Sequence, residues 1–151
     1  MAPQAIRIRH ADQLDADGIA DVWLSSYKAT YSFPPAHSDD EVREWIRDEI
    51  APREETWVAV DPDGSIVAFV TLDGDDLDQL YVRPDRFSRG IGSRLVELAK
   101  EHRPSGLGLY TFQVNTGARA FYERHGFTID ALGDGTGNEE HQPDVRYVWK
   151  P

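Results

Sequence analysis

The chain has 151 residues, 40% hydrophobic and 11% aromatic, which is enough apolar material for one folded domain and too little length for two full ones. It has no cysteine, so disulfides, thiolate metal sites and a cysteine nucleophile are excluded. A formal net charge of −11 argues against binding to nucleic acid or an anionic membrane, and no apolar run approaches the roughly 20 residues that span a bilayer.

The opening segment, MAPQAIRIRHADQ, lacks the basic-then-apolar pattern of a secretion signal, so a cytoplasmic location is expected. Residues 6–10, IRIRH, alternate apolar and charged side chains as a half-buried strand does. Asp12 is placed to cap a helix running to about Thr30, with Leu14, Ile19, Val22, Trp23 and Tyr27 on its inner side. The segment 31–38, YSFPPAHS, is a loop because paired prolines cannot continue a helix. Ser38 followed by Glu41 forms a capping box, which opens a second helix over DDEVREWIRDEI.

TWVAVD and SIVAFVTL flank Pro62-Asp63-Gly64 as a hairpin, and Asp73-Gly74-Asp75 turns the chain into a third strand over 76–82. Gly90 opens a helix to about His102, striped by Ile91, Leu95, Leu98 and Ala99 and ended by Pro104 and Gly106. GLYTFQV is a strand, and Ala118 to His125 is a helix stopped by Gly126. FTIDAL and VRYVW are the last strands, separated by the polar loop GDGTGNEEHQPD. The order β-α-α-β-β-β-α-β-α-β-β describes a single mixed α/β domain over 1–151.

Charge is uneven along this order. Residues 83–103 carry six Arg or Lys against three acidic residues, a balance of +3, which leaves −14 for the remainder. A basic island on an acidic protein suits a small polyanion. Within it, Gly90-Ile91-Gly92 joins a strand to a helix, and a helix start offers unpaired backbone N–H groups and the positive end of the dipole. Glycines at 90 and 92 remove side chains that would hold a diphosphate away from that backbone, and Arg86, Arg89 and Arg94 can add charge. No Walker lysine follows, and Leu95 stands where a dinucleotide fingerprint needs its third glycine.

Val82-Arg83-Pro84 with Gly90-Ile91-Gly92 resembles the coenzyme A loop of the GNAT N-acetyltransferase superfamily, Q/R-x-x-G-x-G/A after a strand ending V-x-P. Phe87 departs from that pattern at the Gln/Arg position. About 23 residues on, Asn115-x-x-Ala118-x-x-Phe121-Tyr122-Glu123-x-x-Gly126-Phe127 is similar to the family's second signature, and the pair is far more specific than either alone. The resemblance implies the GNAT fold: a central mixed, mostly antiparallel sheet of six to seven strands flanked by about four helices. It also implies that strands 77–82 and 107–113 splay apart to admit the pantetheine arm of acetyl-CoA.

By the same resemblance, backbone groups of Leu80, Tyr81 and Val82 meet that arm and the thioester carbonyl, residues Ser88, Arg89, Gly90, Ile91, Gly92 and Ser93 hold the diphosphate, and Asn115 contacts the coenzyme. Tyr122 falls on the family's general acid. Asp76 coincides in spacing with the glutamate base of the histone-acetylating branch, and Asp78 stands two residues on. Tyr110 occupies the position where the ribosomal-protein alanine acetyltransferases carry a glutamate. Glu139, Glu140 and Asp144 lie in the loop that approaches the acceptor, and Tyr31 and Phe33, near Tyr27 and Trp45, form an aromatic acceptor wall. His37, His125 and His141 sit at no family catalytic position, and no histidine cluster supports a metal. The expected activity is acetyl transfer from acetyl-CoA to the primary amine of a small molecule. The alternatives are a protein lysine or N-terminal acetyltransferase and a non-catalytic acyl-CoA-binding domain. A peptide acceptor is thus the second partner class, and a homodimer is compatible with either.

Overall fold

Four strands pair into a meander in the first half of the chain. The computed structural model describes residues 6–53 and 55–151. β1 (Arg7–His10), β2 (Thr56–Val60), β3 (Ile66–Asp73) and β4 (Asp76–Val82) are successive antiparallel neighbours. β5 (Leu107–Phe112), β6 (Thr128–Gly133) and β7 (Asp144–Trp149) complete one sheet in the order β1-β2-β3-β4-β5-β7-β6. The helices are α1 (Ala16–Thr30), α2 (Asp39–Trp45), α3 (Ile91–His102) and α4 (Thr116–Arg124). None of the helices described is long and apolar enough to cross a membrane.

The central strands are buried on both faces, which is why TWVAV and IVAFVTL read as unbroken apolar runs. Val58, Val60 and Phe69 face Ile19 and Val22 of α1 and Val42 of α2. Trp57, Ala59, Ala68 and Val70 face the other way, onto Leu95, Val96 and Ala99 of α3 and Tyr122 of α4.

Two expectations change at the helix starts and ends. The capping box begun by Asp12 closes on Asp15 around a short 3-10 turn, Gln13–Asp15, and α1 starts only at Ala16. Leu14 therefore points outward and is 94% exposed, not on the inner side of α1. The second helix keeps its direction to Ile50, but its last turn, Ile46–Ile50, widens to a π turn in which the Ala51 N–H donates to the Ile46 carbonyl at 2.8 Å. Ile46 and Ile50 both reach the core through that turn.

What positions the site is the one parallel pairing among the described residues. β4 pairs with β5 at a single register position, Asp76 opposite Gly108, supported by the Gly108 N–H donating to the Asp75 carbonyl at 3.0 Å. Beyond it the two strands part, so the sheet opens as a V between its N-terminal and C-terminal halves.

Candidate active site

The V forms a cleft of about 1780 Å³, lined by β4, the start of α3, α4, and the loops 31–38 and 134–143. One wall is the free edge of β4. The Arg83 N–H donates to Val67 on β3 at 2.7 Å, and backbone donors alternate in direction along a strand. The Tyr81 N–H therefore points into the sheet, towards its partner Phe69, while those of Leu80 and Val82 point to the cleft. The register jumps from Thr71–Gln79 to Leu72–Leu77, which makes Asp78 the extra residue of a β-bulge. That bulge interrupts the alternation that would have put Asp76 and Asp78 on one face.

Across from β4, α3 begins at Gly90, whose φ of +82° lies in the left-handed region that favours glycine. A β-carbon on Gly90 would meet nothing within 4 Å, so the space outside it is open. No side chain caps this helix, its first turn has no acidic residue, and the first turn-closing bond is Arg94 N–H to Gly90 O at 3.2 Å. The amides of Ile91, Gly92 and Ser93 are left facing outward. Gly92 has a different reason to lack a side chain: a β-carbon there would lie 3.2 Å from Phe121 Cζ, so it allows α4 to pack close against α3.

Of the arginines expected beside this turn, Arg86 is bound to Asp61 and, at 3.0 Å, to Asp85, and Arg94 reaches back to the Ile6 carbonyl at 2.8 Å. Arg89 has no ion-pair or hydrogen-bond partner among the described residues and lines the cleft, as do Ser88 and Phe87. The Ser93 hydroxyl lies 3.0 Å from His125 Nε2, whose Nδ1 is 3.5 Å from Glu97.

Tyr122 closes the far side. Its ring packs against Phe121, Phe127 and Tyr147, and the side chain is 8% exposed. The hydroxyl makes no hydrogen bond among the described residues, yet it is not a sealed, unpaired atom, so it opens to the cleft that Tyr122 lines. Burial raises its pKa far above the ordinary phenol range, and the group keeps its proton at neutral pH.

Asn115 caps α4, its Oδ1 accepting from the Ala118 N–H at 3.0 Å, and its Nδ2 donates to the Tyr31 hydroxyl at 2.8 Å. It thereby ties the 31–38 loop to the helix that carries Tyr122. Tyr31 stands in an aromatic chain that runs from Trp23, stacked on Tyr27 at 5.1 Å, through Tyr31 to Phe112 at 5.3 Å. Phe33 packs behind this wall, against Tyr27, Tyr31 and Phe112, and does not line the cleft. Phe112 and Gln79, which accepts from Trp23 Nε1 at 3.3 Å, carry no pattern in the sequence that marks them as cleft residues.

The carboxylates sort by partner. Both oxygens of Asp76 accept from Arg146, at 2.8 and 3.0 Å, so they are occupied by a guanidinium rather than turned free to the cleft. Asp78 meets Arg53 at 3.2 Å; partial burial pushes its carboxyl up, against the lowering by Arg53, although a third of the side chain (34%) stays exposed. Asp144, at the start of β7, accepts from Asn138 Nδ2 of the preceding loop at 3.1 Å. Glu139 pairs with His37, which also lies 3.6 Å from Glu41, and these contacts raise the exposed His37. His141 takes a positive φ of 53° in the same loop and does not line the cleft.

Besides Glu44 and Glu49 of the second helix, which line the cleft without a partner among the described residues, there remains Glu140. It lines the cleft, has no hydrogen-bond or ion-pair partner among the described residues, and its charge acts on the phenols of Tyr27, Tyr31 and Tyr81. Burial, with Glu140 adding, pushes Tyr27 up to about 12. The arrangement sets a neutral phenol and free amides on the α3–α4 side of the cleft, and a carboxylate and aromatic rings towards the 31–38 loop.

Residues 52–129 match the family described as Acetyltransferase (GNAT) domain. The chain is 33% identical over 124 residues to the peptidyl-lysine N-acetyltransferase YjaB of Salmonella typhimurium, which covers 82% of this chain and 84% of that one. Its fold superposes on the solution structure of apo YjaB from Escherichia coli with a TM-score of 0.80 at 26% identity, over 97% of this chain and 98% of that chain. It also superposes on PaiA N-acetyltransferase from Thermoplasma acidophilum in complex with coenzyme A, with a TM-score of 0.71 at 20% identity over 98% and 100% of the two chains. With the family match extending over half its length, this chain belongs to the GNAT acetyltransferases and is an N-acetyltransferase.

Proposed function

We propose that the enzyme moves the acetyl group of acetyl-CoA to the side-chain amine of a lysine in a peptide or protein. This replaces the small-molecule amine expected from the sequence. The observation that carries the acetyl-CoA reading is the parting of β4 from β5, which leaves the Leu80 and Val82 amides without a backbone partner among the described residues, in the cleft that the buried Tyr122 also lines. Support for the lysine comes from the YjaB proteins of Salmonella typhimurium and Escherichia coli, both named peptidyl-lysine N-acetyltransferases, at 33% and 31% identity. An open cleft whose acceptor side joins Glu140 to Tyr27 and Tyr31 suits a long cationic side chain, since aromatic faces and a carboxylate both attract an ammonium.

Acetyl-CoA supplies an activated thioester. The α3 amides of Ile91, Gly92 and Ser93, with Arg89, hold a diphosphate by charge-assisted hydrogen bonds. The free edge of β4 continues that grip by pairing with an amide-bearing arm as a strand would. Glu140 takes a proton from the lysine ammonium, so that the neutral amine can attack the carbonyl carbon. The Leu80 N–H stabilises the charge that develops on the carbonyl oxygen; as the carbon–sulfur bond breaks, Tyr122 gives its proton to the departing sulfur, and the proton shed by the adduct nitrogen as the amide forms restores the phenol.

Acetylation of a lysine peptide, with spermidine and tyramine as free-amine competitors, tests the acceptor. The wild type is expected to acetylate the peptide at the lysine Nζ, and Glu140→Gln to lower kcat/KM for the peptide by about 10- to 100-fold with acetyl-CoA affinity unchanged. Turnover of the free amines with the peptide ignored would contradict the lysine assignment. An unaltered Glu140→Gln enzyme would remove that residue from proton transfer.

A further inference from the structure

We infer that Arg146 is a positioning residue: by clasping Asp76 across Gly108 it fixes the angle between the two halves of the sheet, and so the aperture of the acetyl-transfer cleft. Backbone pairing alone ties these halves poorly, because β4 and β5 share one register position, Asp76 with Gly108. Arg146 lies on β7, opposite Tyr110 of β5 and Ala131 of β6. Its Nη1 and Nη2 donate to the two oxygens of Asp76 at 3.0 and 2.8 Å, so one side chain reaches from β7 over β5 to β4.

Two neighbours are shaped to allow this. A β-carbon on Gly108 would lie 2.1 Å from Arg146 Nη2, 2.5 Å from Cζ and 2.9 Å from Asp76 Oδ1, so the guanidinium and its partner fill the space that any other residue would need. The Tyr110 ring, otherwise 65% exposed, lies beneath the guanidinium with its centroid 4.8 Å from Cζ. A planar fork held on one side by a carboxylate and on its face by a ring has little freedom to swing.

The consequence for chemistry follows from which half carries what. β4 carries the Leu80 and Val82 amides and leads into the α3 turn, while Tyr122 sits on α4, which follows β5, and its ring meets Tyr147 of β7. The donor for the carbonyl oxygen and the proton for the sulfur therefore arrive from opposite sides of the V. Their separation is correct only if the apex is held, and a misplacement of about 1 Å at reacting atoms costs on the order of 100-fold in rate.

The test compares Arg146→Met, Asp76→Asn, the double variant, Arg146→Lys and Gly108→Ala by steady-state kinetics with acetyl-CoA, alongside their thermal midpoints. The acceptor is the lysine peptide, or spermidine if the wild type prefers it, so an incorrect acceptor assignment does not affect the outcome. Each of the Arg146→Met, Asp76→Asn and Gly108→Ala changes is expected to lower kcat by about 10- to 100-fold at temperatures where the protein is fully folded, with KM for acetyl-CoA within about threefold. The double variant is expected to be no slower than either single change, because the two residues act as one unit. Arg146→Lys keeps the charge but not the fork and is expected to recover only part of the rate. A lowered thermal midpoint with wild-type kcat would make the pair purely structural and overturn the inference. So would a loss on Asp76→Asn that Arg146→Met does not share, which would mark Asp76 as a proton acceptor in its own right.

Discussion

Gly90→Asp is expected to leave a folded protein that no longer binds acetyl-CoA, with affinity lower by at least about 100-fold, equivalent to about 2.7 kcal/mol. The change acts at the N-cap of α3, where an anion is to be met by the amides of Ile91, Gly92 and Ser93. A carboxylate there competes for the same donors as an intramolecular cap and repels the diphosphate. Backbone strain is a smaller factor, since the φ of +82° is costly for most residues but aspartate tolerates the left-handed region better than most. Gly90→Ala provides the control. Its β-carbon meets nothing within 4 Å in the free protein, so its effect reports strain and contact with the ligand without charge. About tenfold weakening is expected for the alanine. Calorimetric titration with coenzyme A checks both; an aspartate variant that is folded and binds normally would mean that the anion lies elsewhere.

Tyr122→Phe is expected to lower kcat by about 100-fold with little change in KM for acetyl-CoA or in thermal stability. Stability is preserved because the Tyr122 hydroxyl has no hydrogen-bond partner to lose among the described residues, and the ring contacts with Phe121, Phe127 and Tyr147 remain. Rate is lost because the thiolate then departs without a proton donor. Burial holds the Tyr122 phenol protonated across the neutral range, so wild-type kcat is not expected to show an acidic-to-neutral limb from this group. Wild-type turnover by the phenylalanine variant would take Tyr122 out of the acid role.

The two segments behind these predictions were legible because their physics is local. A left-handed glycine, a helix start without an acidic first turn, and an asparagine cap each act within a few residues. Gly90 and Asn115 accordingly stand at the starts of α3 and α4. The order of seven strands and four helices followed from period and turn residues in the same way. Leu14 shows where local reasoning failed, since a capping box fixes where a turn begins but not whether it is 3-10 or α, and that choice rotated the side chain outward.

The acceptor side was harder to read because its contacts are long-range. Arg146 meets Asp76 across 70 residues of sequence, and His37 meets Glu139 across 102. Neither pair leaves a spacing signal. Asp76 and Asp78 look equivalent in DLDQLYV, yet a bulge separates their directions and different arginines hold them. Glu139 and Glu140 are adjacent and chemically identical and both line the cleft, and only the fold pairs one with His37 and leaves the other without a partner among the described residues. Phe112 replaced Phe33 as the lining ring because loop 31–38 folds Phe33 behind Tyr31.

In the proposed complex, one ligand spans the α3 amides and the free edge of β4. Amide chemical shifts of ¹⁵N-labelled protein, followed while acetyl-CoA is added, test it most directly. Leu80, Val82, Ile91, Gly92 and Ser93 are expected to move together with one saturation curve, with Tyr81, whose amide faces β3, moving far less. Saturable binding that shifts other residues and leaves those five in place would mean that acetyl-CoA binds elsewhere.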